Sequence, residues 1–193
     1  MAKCFPEMIF FDKYEDSKSW KLLSHWEINP SWLEYKNKLY QIIKRDFIDN
    51  ELYFRDKVIR LNFPDITGEF KHLTTRDSRF ENNRIPDIER CMRLPWLRPS
   101  INNAYCLKDC CTRYIWDEKD NKKGGMVTLI LYLEDRYLVI LKEKNNYYYI
   151  KTAFYIEQDH ELRKKIKNYY NFRFYNKCWG QGKEASTFFH LEA

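Results

Sequence analysis

MVTLILYLEDRYLVILKEKNNYYYIKTAFYI, residues 126–156, contains three β-rich runs parted first by Glu134, Asp135 and Arg136 and then by Lys144, Asn145 and Asn146. Short polar breaks between β-branched and aromatic runs read as an antiparallel meander. The first two runs are almost continuously apolar, so both are expected to be central strands covered on each face. In the third run, simple alternation puts Tyr147, Tyr149, Lys151, Ala153 and Tyr155 on one face. Ile150, Thr152, Phe154 and Ile156 then fall on the other.

Downstream of the meander, the spacing predicts a helix from about Asp159 to Phe174, basic through Arg163, Lys164, Lys165 and Lys167. Upstream, residues 102–125 read as a polar connector that ends in a charged, glycine-containing loop, Asp117 to Gly125. The other clear periodicity lies near the start, where Trp32, Tyr35, Leu39, Ile42, Ile43 and Phe47 recur at steps of three and four. With Pro30 at the entry and Asn29 or Ser31 to cap, this predicts an amphipathic helix over Ser31–Ile48. Residues 57–63, KVIRLNF, read as a strand closed by Pro64 and Gly68. Alternation of Phe70, His72 and Thr74 predicts a second extended stretch over Glu69–Thr74. Residues 1–28 mix aromatics with charges and are expected to pack over the domain as a short element plus loops.

The fold class is therefore α+β, with N-terminal helices packed on a twisted antiparallel sheet and a C-terminal helix. The organisation expected is an N-terminal helical region (1–50), an α+β domain (51–175) and an irregular tail (176–193). A chain of 193 residues with 44% hydrophobic and 18% aromatic content has ample material for one core. The net charge of +6 is mildly basic, compatible with nucleic acid without demanding it. No apolar run is long enough to cross a bilayer, and no signal peptide opens the chain, so a cytoplasmic protein without membrane attachment is expected. The six cysteines are then expected as thiols. Cys106, Cys110 and Cys111 with Cys178 or His160 are the one zinc candidate, but C-x3-C-C lacks the paired knuckle of structural zinc, so no metal or other cofactor is expected. Walker, Rossmann, HExxH and nucleophile-elbow patterns are all missing, and five glycines leave little for a phosphate-cradling loop.

Chemistry is concentrated in residues 70–99, FKHLTTRDSRFENNRIPDIERCMRLPWLRP. This segment gathers His72, Arg76, Arg79, Arg84, Arg90, Arg93 and Arg98 with Thr74, Thr75 and Ser78. Guanidinium groups match phosphate oxygens and an imidazole can move a proton near neutral pH. A solvated loop leading into a basic helix face would have the same composition. Asp87 is placed to cap a short helix in which Arg90 and Arg93 share a face, and Arg93 is placed to pair with Glu89 four residues back. Pro95 and Pro99 interrupt the chain beyond that helix.

The order FKHLTTRD, then DIERCMRLPWLRPSIN, then a meander ending in YYYIKTAFYIE, resembles phage- and toxin-associated members of the BECR group (barnase, EndoU, colicin D, RelE), small endoribonuclease domains. The resemblance covers Phe70 to Ile156. Its matches are the segment led by His72, the module of Glu89, Arg90, Arg93, Pro95 and Trp96, and the strand end Thr152 to Phe154. It implies N-terminal helices on an antiparallel sheet and RNA cleavage without a metal, by attack of the ribose 2′-hydroxyl on the adjacent phosphorus to leave a 2′,3′-cyclic phosphate. On this reading His72 is base or acid, Arg76, Arg79 and Arg90 are phosphate ligands, and Thr152 donates a hydroxyl. Arg93 would add a further substrate contact, and Trp96 and Tyr149 would stack a base, although a core role for Trp96 is the competing expectation. The implied partners are RNA and an acidic inhibitor or immunity protein. The alternative is a module of a phage or mobile element that binds nucleic acid or protein without catalysis.

Overall fold

The structure is a computed structural model. It describes the backbone of residues 5–10, 30–77, 84–106, 111–120 and 124–179, with side chains at all of these except 30, 31 and 175–179. Helix α1, Pro30–Phe47, follows its periodicity and buries Trp32, Tyr35, Leu39, Ile42 and Ile43 along one stripe. A tight hairpin comes next, β1 (Tyr53–Phe54) and β2 (Lys57–Arg60). The strand expected over residues 57–63 thus ends at Arg60.

The extended stretch expected at Glu69–Thr74 is instead the larger part of helix α2, Ile66–Thr74, so His72 is helical. The helix wins because Asp65 caps it, accepting from the Gly68 amide at 2.6 Å, and because Ile66, Phe70 and Leu73 form a helical stripe that packs into the core. Gly68 lets Phe63 approach closely, since a Cβ there would lie 3.0 Å from Phe63 Cβ. Beyond α2 lie a two-stranded ribbon, β3 (Thr75–Asp77) with β4 (Arg84–Pro86), and helix α3 (Ile88–Met92), capped by Asp87 as predicted. A 3-10 turn at Leu94–Trp96 leads into α4, Leu97–Asn102.

The residues expected as a connector contain a full strand, β5 (Arg113–Lys119), whose Trp116 is 1% exposed. The meander is as expected: β6 (Met126–Tyr132), β7 (Tyr137–Lys144) and β8 (Tyr147–Tyr155). One sheet holds six strands in the order β1-β2-β8-β7-β6-β5, antiparallel throughout except for the parallel pair β2–β8. Helix α5 runs from Asp159 to Trp179, past the expected end at Phe174.

The sheet separates two apolar clusters, which is why β6 and β7 are apolar on both faces. Helices α1 to α4 cover one face together with Phe5, stacked on Trp96 at 4.7 Å. Helix α5 covers the other, through Leu162, Ile166, Tyr169 and Phe172 against Trp116, Leu129 and Leu138. The sheet also curls. Arg55, from the β1–β2 turn at one edge, reaches Asp117 on β5 at the opposite edge (3.0 and 3.1 Å) and the Tyr105 hydroxyl (2.8 Å). Arg55 and Asp56 both adopt positive φ, 48° and 61°, the geometry a two-residue turn of this twist needs. Among the described residues no helix is long and apolar enough to cross a membrane.

Candidate active site at the edge of the sheet

The site is built around an irregularity in β8. Opposite β7, Thr152 pairs with Ile140 and Ile150 with Leu141, so Lys151 is an extra residue without a partner in that ladder. Such a bulge turns the chain and redirects the side chains beyond it. The alternation expected for β8 is therefore broken. Ile150 and Ala153 both join the cluster under α1 to α4, while Phe154 and Ile156 pack on the α5 side. Tyr149 and Thr152, expected on opposite faces, share one, because their partners Lys142 and Ile140 are two residues apart on β7.

On its other side β8 pairs with β2 only as far as Tyr149, and beyond that point α2 and α3 pack against its edge. The bulge leaves the Lys151 carbonyl facing this edge, where His72 Nε2 meets it at 2.7 Å. A carbonyl only accepts, so Nε2 carries the proton, and in the neutral ring Nδ1 is the basic nitrogen. Phe63 lies against the imidazole, with ring centroids 5.3 Å apart. The Lys151 side chain is tied down separately, its Nζ 2.7 Å from Asp120, a buried carboxylate that also holds Lys142 at 2.9 Å. The residue that orients His72 is thus fixed through both backbone and side chain.

Cations gather where α2 ends. Thr75 is their hub: its carbonyl accepts from Arg84 Nη2 at 2.8 Å and from Arg90 Nη1 at 3.4 Å, and its hydroxyl accepts from Arg84 Nε at 2.7 Å. Arg90 also lies over the Phe154 ring, at 5.9 Å from the centroid. Burial pushes the Arg90 guanidinium below its usual value; Asp87 opposes this, while the charges of Arg84 and Arg76 add to it. Arg76, on β3, is therefore close enough for its charge to be felt. Two carboxylates partly offset the three guanidinium groups: Asp87, 3.3 Å from Arg90 Nε, and the exposed Asp77, 2.8 Å from Arg84 Nη1.

Of the residues singled out from sequence, His72 meets the Lys151 carbonyl at this edge, and Arg90 donates to Thr75 close enough to Arg76 to feel its charge. Thr152 and Tyr149 lie on the side of β8 that faces α5, with Ile140 and Phe154. Arg93 and Trp96 do not join them. Arg93 pairs with Glu89 and stacks on Tyr155 at 4.4 Å, and it is 9% exposed. Trp96 is a core residue, with Phe5 on its ring and its Nε1 donating to the Pro6 carbonyl. Arg79 lies outside the described residues, as do Cys110 and the Cys178 side chain of the zinc candidate. Among the described residues no three His, Cys, Asp or Glu side chains are grouped to hold a metal ion.

Two further residues belong to the site. Arg84 was one cation among several in the sequence, and only the β3–β4 pairing brings it to Thr75. Glu69, one turn before His72, is fully buried, and its Oε2 accepts from the Asn62 and Phe63 amides at 2.8 and 3.3 Å. Burial pushes its carboxyl up to about 6, against the two amides that pull it down. Its carboxylate thereby holds the loop that presents Phe63 to His72. The shallow groove of about 570 Å³ lined by Phe47, Tyr53, Lys57 and Arg60 lies elsewhere, along β1 and β2. Compared with models of protein families, with curated proteins and with solved structures, the chain matches none.

Proposed function

We propose that this chain is an endoribonuclease of BECR-like architecture that cleaves RNA without a metal. The carrying observation is the contact of His72, on the helix that leads into Thr75, with the bulge carbonyl of Lys151, while the Thr75 carbonyl accepts from Arg84 and Arg90. In the proposed reaction a base removes the proton of a ribose 2′-hydroxyl and that oxygen attacks the adjacent phosphorus. The bond from phosphorus to the 5′ oxygen breaks, and an acid protonates the departing oxygen. The products are a 2′,3′-cyclic phosphate and a free 5′-hydroxyl. His72 exchanges a proton through Nδ1, its tautomer held by the carbonyl. Arg76, Arg84 and Arg90 stabilise the charge that grows on the phosphorane oxygens. An acidic inhibitor protein would complement such a site.

The test is a pair of variants assayed against total RNA and tRNA, with and without EDTA. His72→Ala is expected to abolish cleavage and retain RNA binding, and Arg90→Ala to impair both. A second reading is favoured by one observation, the pairing of Arg84, Arg90 and Arg93 with Asp77, Asp87 and Glu89. Guanidinium groups compensated in this way serve a module that binds nucleic acid or protein without cutting it. Binding without cleavage by the unmutated chain selects that reading.

A further inference from the structure

Helix α5 carries a pattern that the edge site does not use. His160, Arg163, Lys167, Tyr170 and Phe174 succeed one another at steps of three, four, three and four, so they form one stripe along the helix, with Lys164 and Asn171 beside it. All seven are exposed, Tyr170 at 52% and Phe174 at 66%. The opposite side of the helix packs on the sheet through Leu162, Ile166, Tyr169 and Phe172, and Lys165 and Asn168 there contact Glu118 at 3.3 and 3.2 Å. The acidic residues of the helix lie off the stripe: Asp159 pairs with Arg136, and Glu161 is in the first turn. The Tyr170 hydroxyl lies 3.4 Å from that of Tyr114, and its ring meets Tyr114 and Tyr169 edge to face at 6.0 and 5.4 Å while about half of the residue stays exposed.

We propose that this stripe is a binding surface for single-stranded RNA, separate from the edge site at His72. Cations spaced along a helix track a phosphate backbone, and aromatic rings set among them offer planes on which successive bases stack. The stripe extends over roughly 21 Å from His160 to Phe174. A membrane-surface helix would place a broad apolar face opposite its cations, whereas here the rings and cations share one line and the apolar face is already buried. The surface does not require that His72 cut RNA.

The experiment uses the full chain and a fluorescent 2′-O-methyl oligouridine, which cannot be cleaved by 2′-oxygen attack, with binding followed by polarisation across a salt series. The unmutated chain is expected to bind, and Lys38→Ala, at an exposed pair on α1 that belongs to neither site, to bind equally. Tyr170→Ala with Phe174→Ala is expected to weaken binding by roughly thirty-fold or more at an unchanged salt slope. Arg163→Gln with Lys167→Gln is expected to flatten the log–log salt slope by about 1.4. Circular dichroism melts verify that each variant is folded. The proposal is overturned if the oligonucleotide does not bind, if both double variants bind like the unmutated chain, or if α5 responds only to anionic phospholipid vesicles.

Discussion

The two faces of the central sheet are built by different rules. Under α5 the cluster is apolar and aromatic, Trp116, Val127, Leu129, Leu131, Leu138 and Ile156, with Tyr114 stacked on Tyr169 at 4.3 Å, and beside it one buried carboxylate, Asp120, bridges Lys142 and Lys151. Under α1 to α4 the core also encloses polar groups: Asp46, Glu69, Thr74, Thr75, Arg93 and Ser100 are all buried there. Burying such groups is costly unless each is bonded, and most of these hold a backbone turn in place. Ser100 bonds the Trp96 carbonyl, Thr74 bonds the Phe70 carbonyl at 2.7 Å, and Glu69 holds the Asn62–Phe63 loop. Both faces bury polar groups, but the face under α1 to α4 buries more of them, and there they fix an irregular edge in one geometry.

Loss of chemistry is the largest effect that separates the faces. His72→Ala should lower RNA cleavage by roughly 10²- to 10⁴-fold with little change in melting temperature. Trp116→Ala, on the α5 face, should do the reverse, destabilising the fold by about 4 kcal/mol in urea titrations while the residual folded protein stays active. Asp120→Asn should cost about 3 kcal/mol, because it strips the buried partner from Lys142 and Lys151. It should also lower cleavage by the folded fraction, since Lys151 is the residue that orients His72. Equal activity per folded molecule would separate the bulge from the chemistry.

Glu69 makes a smaller, pH-dependent prediction. Its carboxyl is raised from an ordinary 4.5 to about 6, so the folded chain holds this proton more tightly than the unfolded chain does. Stability from this group is fully present below about pH 4.5 and is lost as pH rises through about 6, a difference of about 2 kcal/mol by pH 8. Glu69→Gln should flatten that part of the pH–stability curve, measured by denaturant midpoints. At the small end, Lys38→Ala removes an exposed pair with Glu34 and should change stability by no more than about 0.5 kcal/mol.

What could be read in the sequence depended on whether local signals decided the outcome. Helix α1, the cap at Asp87 and the three-strand meander are set by periodicity and turn residues within a few positions, and all three are found in the structure. Helix α2 is misread from its alternation. The alternation of Phe70, His72 and Thr74 reads as a strand, but in the structure Asp65 caps a helix whose Ile66, Phe70 and Leu73 pack into the core, and burial of that stripe overrides the alternation. Strand β5 was masked by its charges, because Arg113, Asp117 and Glu118 find partners only in the folded chain. The bulge at Lys151 depends on the register with β7, which no local signal in YIKTAFY specifies. His72, Arg76 and Arg90 stood out in the sequence for their chemistry, whereas Arg84, Glu69 and the orienting carbonyl became visible only once distant segments met.

The central claim is that the bulged edge of β8 presents His72 to a scissile phosphate. The most direct measurement is mass spectrometry of a short RNA incubated with the unmutated chain in EDTA, beside the same RNA carrying one 2′-deoxy residue at the cut position. The account predicts a 2′,3′-cyclic phosphate fragment from the first RNA and none at that position from the second. Intact RNA in both, or cleavage that ignores the missing 2′-hydroxyl, would contradict it.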